Sequence, residues 1–170
     1  MITTRRLTLI PLNMGQESDY FDDDGKLELG LGLIYVPRKL PPELKAVIQR
    51  FIIPLFIEQP ENYLFFTSWI AVECHSSLIV ADLAFKGTPD YKGATEVGYG
   101  TYSVYRNKGY MTEALQGLSH WAFSRTELAE ITAETDKTNT ASKRVLEKNG
   151  FKLAGGTADQ LYWSLKRAKK

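Results

Sequence analysis

Residues 96–114, E-V-G-Y-G-T-Y-S-V-Y-R-N-K-G-Y-M-T-E-A, constrain the fold of this chain more than any other stretch. Residues 95–103 are rich in the β-branched and aromatic side chains that suit an extended segment. From Tyr110 to Phe123, residues Met111, Ala114, Leu115, Leu118 and Ala122 recur at helical spacing. A strand, a short loop and a helix therefore follow one another, and the loop is Arg106-Asn107-Lys108-Gly109. Where a chain enters a helix, the first backbone N–H groups have no partner within the helix, and the helix dipole adds partial positive charge. Arg106 and Lys108 add full charges, and Gly109 lets a ligand approach the backbone without a Cβ in the way. Phosphate is the group that such a place binds.

A second stretch, residues 138–151, reads T-N-T-A-S-K-R-V-L-E-K-N-G-F. Ala141, Val145 and Leu146 give one apolar helix face, Asn139 or Thr138 can cap its start, and Asn149-Gly150 stops it before a strand opening at Phe151.

Together these residues resemble the GCN5-related N-acetyltransferase (GNAT) family, whose signature for acetyl-CoA is Gln/Arg-x-x-Gly-x-Gly/Ala at a strand-to-helix turn. Arg106, Gly109 and Met111 stand at its positions, and Met111 departs from the small residue usual there. The flanking E-V-G-Y and G-Y-M-T-E-A are similar to the branch that acetylates ribosomal-protein N-termini and related amines, in which a larger residue is tolerated. Residues 138–151 resemble the family's N-x-x-S-x-x-V-L-E-K-x-G-F, and residues 6–12 its T-E-R-L-x-L-R-x-L opening.

The resemblance implies an α/β (α+β) GNAT fold, with a mixed, mostly antiparallel sheet of about six to seven strands flanked by helices. It implies acetyl-CoA as cosubstrate and an amine as acceptor. The strand end Thr101, Tyr102 and Ser103, the loop Arg106, Asn107, Lys108 and Gly109, and the helix start Tyr110, Met111 and Thr112 become the residues expected to bind the cofactor. Asn139 and Ser142 carry over as contacts to its pantetheine arm and sulfur; from its own position, Asn139 is equally a helix cap.

At 170 residues with 44% apolar content, the chain is long enough to bury one sizeable core, so residues 1–170 are expected to form one domain. The net charge of +1 and the absence of a long basic run argue against nucleic-acid binding, and the charge of any ligand must be met locally. A single cysteine, Cys74, excludes an intrachain disulfide, and the isolated His75 and His120 provide no metal-ligand spacing, so no metal is expected. Neither a signal peptide nor a membrane span is indicated, which suggests a cytoplasmic protein, monomeric or homodimeric.

Residues 6–12 read as a first strand, and residues 13–32 lose periodicity and read as helix ends and loop. Their acidic run Asp22-Asp23-Asp24 suits a solvated surface, with a role toward a cationic amine left open. A helix is expected from Pro41-Pro42-Glu43 to about Glu58, kinked or broken near residues 50–54 by Pro54. Phe51, Phe56, Tyr63, Phe65 and Phe66 suit a core better than a substrate cage. Residues 63–73, 78–86 and 95–103 make three antiparallel strands, and residues 130–135 a parallel neighbour through a right-handed crossover. Residues 151–154 and 161–165 then form a hairpin around Gly155-Gly156, followed by a basic tail.

Acetyl transfer to an amine requires the acceptor to lose a proton and the leaving thiolate to be stabilised or protonated. Glu96 is the candidate base, directly or through water, and Ser142 the candidate acid or sulfur partner; Tyr99, Tyr102 and Tyr105 stay open for the acid role. Nothing resembles a covalent nucleophile, which favours direct transfer in a ternary complex. Glu96 lies roughly 20–25 Å along the extended chain from the loop, comparable with a pantetheine arm, and an irregularity that shortens this is expected at Gly98 or Gly100. The alternative from another class is a non-catalytic acyl-CoA-binding protein of the same fold. An unrelated nucleotide binder would need G-x-G-x-x-G or G-K-S/T, and neither occurs.

Overall fold

A computed structural model describes residues 1–38, 40, 42–125 and 128–168. The strands are β1 (Ile2–Thr3), β2 (Leu7–Pro11), β3 (Ser68–Glu73), β4 (Leu78–Phe85), β5 (Ala94–Thr101), β6 (Glu130–Asp136), β7 (Lys152–Gly156) and β8 (Gln160–Lys166). The helices are α1 (Met14–Asp22), α2 (Lys26–Leu31), α3 (Pro42–Val47), α4 (Ile53–Glu58), α5 (Tyr110–Phe123) and α6 (Thr140–Lys148). The strands form one eight-stranded sheet in the order β1-β2-β3-β4-β5-β6-β8-β7. Among the described strands only β5 and β6 pair in parallel, joined by the crossover helix α5. The short β1 raises the count above the six to seven expected; two residues give no alternation to read.

β3 is buried on both faces, and its alternation separates the two cores. Trp69 and Ala71 face α5 together with Leu7, Leu9, Leu83, Phe85 and Val97. Ile70 and Val72 join Leu12, Tyr20, Phe21 and Leu27 beneath α1 and α2. The apolar stripe of α5 lies in the first core as its spacing predicts, with Ala114, Leu115, Leu118 and Ala122 at 0–1% exposure. Burial of each of these leucines contributes about 1.5–3 kcal/mol.

Four expectations need correction. Residues 13–32 form two helices. Asn13 opens α1 through a capping box, its Oδ1 accepting from the Gln16 N–H at 3.0 Å while the Gln16 Oε1 accepts from the Asn13 N–H at 3.0 Å. Residues 63–65 belong to a 3₁₀ turn, Pro60–Phe65, rather than to β3. There Trp69 Nε1 donates to the Leu64 carbonyl at 3.0 Å, and the Phe65 ring packs on Phe85 and Trp121. β5 pairs with β4 in unbroken register over residues 97–101, so Gly98 and Gly100 are not bulged; the extra residue is Val80 on β4, between the pairs Ala71–Ala81 and Val72–Ile79. The β7–β8 turn lies beyond Gly155-Gly156, which are still in β7; a Cβ on Gly156 would stand 2.5 Å from the Gln160 carbonyl oxygen.

Pro54 acts as anticipated. Just before it, Ile48–Ile52 form a π-helical turn whose wide loop, closed by the Ile53 N–H on the Ile48 carbonyl, accommodates the donor that proline lacks. The expected start of this helical region at Pro41 and the last two tail lysines lie outside the described residues. Phe66 is core, whereas Phe51 is 56% exposed.

Candidate active site

The loop of residues 106–109 turns through Asn107 at φ 62° and Gly109 at φ 78°. Both lie in the left-handed region, where Gly is free of strain and Asn is tolerated. Gly109 is the N-cap of α5, and no side chain caps that helix, so its first amides open toward solvent. Arg106 Nε donates to the Thr101 carbonyl at 3.2 Å, and the Lys108 ammonium lies over the Tyr105 ring.

The loop is braced from the far N-terminus. Arg6 Nη1 donates to the Lys108 carbonyl at 3.0 Å, and the guanidinium lies over the Tyr110 ring. Glu113, one turn into α5, takes Arg6 Nε at 2.7 Å, the Arg6 backbone N–H at 2.7 Å and the Thr4 hydroxyl at 2.7 Å. Burial would raise the Glu113 carboxyl, but these hydrogen bonds and the Arg6 charge hold it below the usual range.

β5 and β6 pair only at residues 94–96 and then part. The gap is a cleft of about 700 Å³ between the end of β5, the loop and α6. Of the residues anticipated from sequence, Thr101, Arg106, Asn107, Gly109, Tyr110, Met111 and Thr112 line it from the strand and loop, and Asn139 and Ser142 from α6. Asn139 is also the cap, its Oδ1 accepting from the Ser142 N–H at 3.0 Å. The Tyr99 hydroxyl lies 2.7 Å from Ser142 Oγ, joining strand and helix across the cleft. Burial pushes the Tyr99 phenol up to about 12, partly offset by the bond to Ser142.

Four anticipated residues stand elsewhere. Glu96 does not line the cleft; it forms an ion pair with Lys86. Strand alternation puts it on the face of β5 opposite Tyr99. Tyr102 donates to Asp82 Oδ2 at 3.0 Å, away from the cleft, because the strand has ended and the chain is turning. Ser103 and Lys108 are exposed on the outer side of the turn. Tyr99 and Tyr105, left open from sequence for the acid role, do line the cleft, and Gly100, with Arg144 and Lys148 from α6, lines it without having been assigned to it. The two basic residues are one helical turn apart, on the face that carries Ala141, a spacing readable from sequence.

A mostly antiparallel sheet whose inner strands part beside an uncapped helix N-terminus defines a protein of the acetyltransferase fold. The model of the acetyltransferase (GNAT) domain family matches residues 24–152, and the chain belongs to that family. A curated relative, the uncharacterized N-acetyltransferase YjdG of Bacillus subtilis (strain 168), is 41% identical over 98 residues, 58% of each chain. The match thus spans somewhat more than half the length of that relative. Among solved structures, the ribosomal-protein-S5-alanine acetyltransferase of Vibrio fischeri superposes with a TM-score of 0.68 at 18% identity, covering 96% of this chain and 94% of that one. RimL, a ribosomal L7/L12 alpha-N-protein acetyltransferase in complex with coenzyme A, superposes with a TM-score of 0.70 at 16% identity, covering 96% and 95%. At these identities the likeness is one of fold.

Proposed function

We propose that this protein transfers the acetyl group of acetyl-CoA to a primary amine, a protein N-terminus or a small-molecule amine, by direct attack in a ternary complex. The observation that carries this is the Tyr99–Ser142 hydroxyl pair, set in a cleft that ends at an uncapped, basic helix N-terminus. The loop amides and Arg106 hold the pyrophosphate, and Asn139 and Thr101 flank the pantetheine arm. Glu96, directly or through water, removes a proton from the acceptor ammonium. The amine nitrogen then bonds to the acetyl carbon as the carbon–sulfur bond breaks, Ser142, coupled to Tyr99, protonates the departing thiolate, and the excess proton on the new amide nitrogen restores the Ser142 hydroxyl. Cys74, the single cysteine, is exposed at the end of β3 and not in the cleft, which supports direct transfer over a covalent route. The ribosomal-protein acetyltransferases among the fold relatives support an N-terminal amine as acceptor.

The ion pair between Glu96 and Lys86 favours the alternative, an acyl-CoA-binding protein without turnover. The two readings separate on free-thiol release from acetyl-CoA with a panel of peptides, polyamines and small amines. Amine-dependent release establishes transfer; tight acetyl-CoA binding with no release above hydrolysis establishes the alternative. A cytoplasmic location, a monomer or homodimer, and one domain over residues 1–170 complete the proposal. No described helix is long and apolar enough to cross a membrane, in line with such a location.

A further inference from the structure

The face of β5 that carries Glu96 is bare beyond it. Gly98 and Gly100 follow at the alternate positions, and a Cβ on Gly98 would meet nothing within 4 Å. On the neighbouring strand, Ala84 pairs with Gly98 and Asp82 pairs with Gly100. Directly opposed residues of an antiparallel pair share a face, so the Asp82 carboxylate stands beside the place where Gly100 has no side chain. A Cβ there would lie 3.5 Å from Asp82 Oδ1.

The two carboxylate oxygens of Asp82 have different surroundings. Oδ2 accepts from the Tyr20 hydroxyl at 2.6 Å and from Tyr102 at 3.0 Å, and the two hydroxyls also touch each other. Oδ1 takes no hydrogen bond among the described residues. Asp82, Gly98, Gly100 and Tyr102 all keep partial solvent exposure. One cation of this region is already committed: the Arg38 side chain is 3% exposed, pairs with Glu28 and Asp23, and lies over the Tyr20 ring. Gly100 itself lines the cofactor cleft. One strand therefore separates the cleft from a carboxylate oxygen with an open hydrogen-bonding position.

We propose that Asp82 receives the ammonium group of the acceptor over the bare Gly98–Gly100 face, with Tyr20 and Tyr102 holding the carboxylate in place. The ligand class is a primary ammonium, whose donors suit a carboxylate oxygen; a neutral hydroxyl of the same shape would bind less well. The proposal rests on the acetyl-transfer reading for the reaction, but binding of the ammonium can be measured without it.

Calorimetry in the presence of CoA would compare trialanine amide with its N-acetylated form, and n-butylammonium with n-butanol. The wild type is expected to prefer the charged member of each pair by roughly tenfold or more. Asp82→Asn should abolish that preference while acetyl-CoA affinity stays within about twofold, because asparagine keeps an oxygen for both tyrosines. Gly100→Ala should also weaken the preference, since its methyl would cover Oδ1 at an ordinary contact distance; this variant serves if Asp82→Asn does not fold. Equal binding of charged and neutral probes by the wild type, or an unchanged preference in either variant, overturns the proposal. A preserved preference that depends on Asp82, with no acetyl transfer to any amine, instead overturns the catalytic reading and leaves the ammonium site standing.

Discussion

Tyr99 and Ser142 are 43 residues apart in the chain, yet their hydroxyl oxygens lie 2.7 Å from one another across the cleft. The contact joins the last part of β5 to the first turn of α6, two elements that line the cleft opened where β5 and β6 part. If the pair delivers a proton to the thiolate, Ser142→Ala and Tyr99→Phe should each lower kcat by about 10–10²-fold. The double variant should be little worse than either, because the two act as one unit. Steady-state kinetics at saturating acetyl-CoA measures this, and fully multiplicative losses would separate the two residues.

Arg6 and Glu113 predict an effect on cofactor affinity from residues that do not contact the cofactor. Arg6→Met would release the Lys108 carbonyl and leave Glu113, in the first turn of α5, without its cation where the phosphates should lie. Acetyl-CoA affinity should fall roughly fivefold to thirtyfold with kcat much less affected. Glu113→Gln in the same background should restore part of the loss. Titration calorimetry of the four proteins of that cycle gives the coupling directly.

Glu96→Gln should lower turnover by about 10²–10⁴-fold with acetyl-CoA affinity little changed, and the deficit should shrink at higher pH, where more acceptor is already neutral. Lys86→Met, which frees Glu96 from its ion pair, is expected to leave transfer intact. Near-normal turnover of Glu96→Gln at every pH would mean that another group or water takes the proton.

Glu17 is fully buried on α1, with Ser68 Oγ donating to it at 2.7 Å and the Ser68 N–H at 3.2 Å. Burial pushes its carboxyl up to about 7, against the opposing hydrogen bonds from Ser68 and Thr67. The Thr67 hydroxyl donates to the Leu12 carbonyl at 2.6 Å and to Glu17 Oε2 at 3.2 Å, so the carboxylate holds only a share of that proton. Between the ordinary 4.5 and about 7 the folded chain binds the Glu17 carboxyl proton more tightly than the unfolded chain. The contribution to stability is therefore complete below 4.5 and is lost as pH rises through 7, by about 3 kcal/mol at most. Glu17→Gln should flatten that part of the pH–stability curve in denaturant unfolding; an unchanged slope would contradict the assignment.

How legible these features were in the sequence depended on how local they are. The bounds of α5 follow from its own apolar spacing and from Gly109, and the start of α6 from Asn139. The capping box of α1 was equally local, Asn13 followed by Gln16 three residues later, but no clear apolar stripe followed to draw attention to it. The Tyr63–Phe65 turn looks like a strand because its aromatic residues suit one; the Phe65 ring is claimed by Phe85 and Trp121 and the Leu64 carbonyl by the Trp69 indole, which only the folded chain brings near. The loop half of the cleft was readable for the same reason as α5. The Tyr99–Ser142 pair and the Asp82–Tyr20–Tyr102 cluster were not, since each depends on contacts between elements distant in sequence.

Beyond Glu96, β5 keeps β4 on one side and loses β6 on the other, so half of the peptide groups over residues 97–101 point into the cleft with no strand to receive them. An unpaired edge of this kind on the outside of a protein invites a second chain. Here it is enclosed by α6 and by the loop ahead of α5, with room for one narrow guest and none for a sheet. A linear molecule carrying its own amides could complete the missing rungs along that seam, gaining its alignment from the backbone of the host rather than from any single side chain.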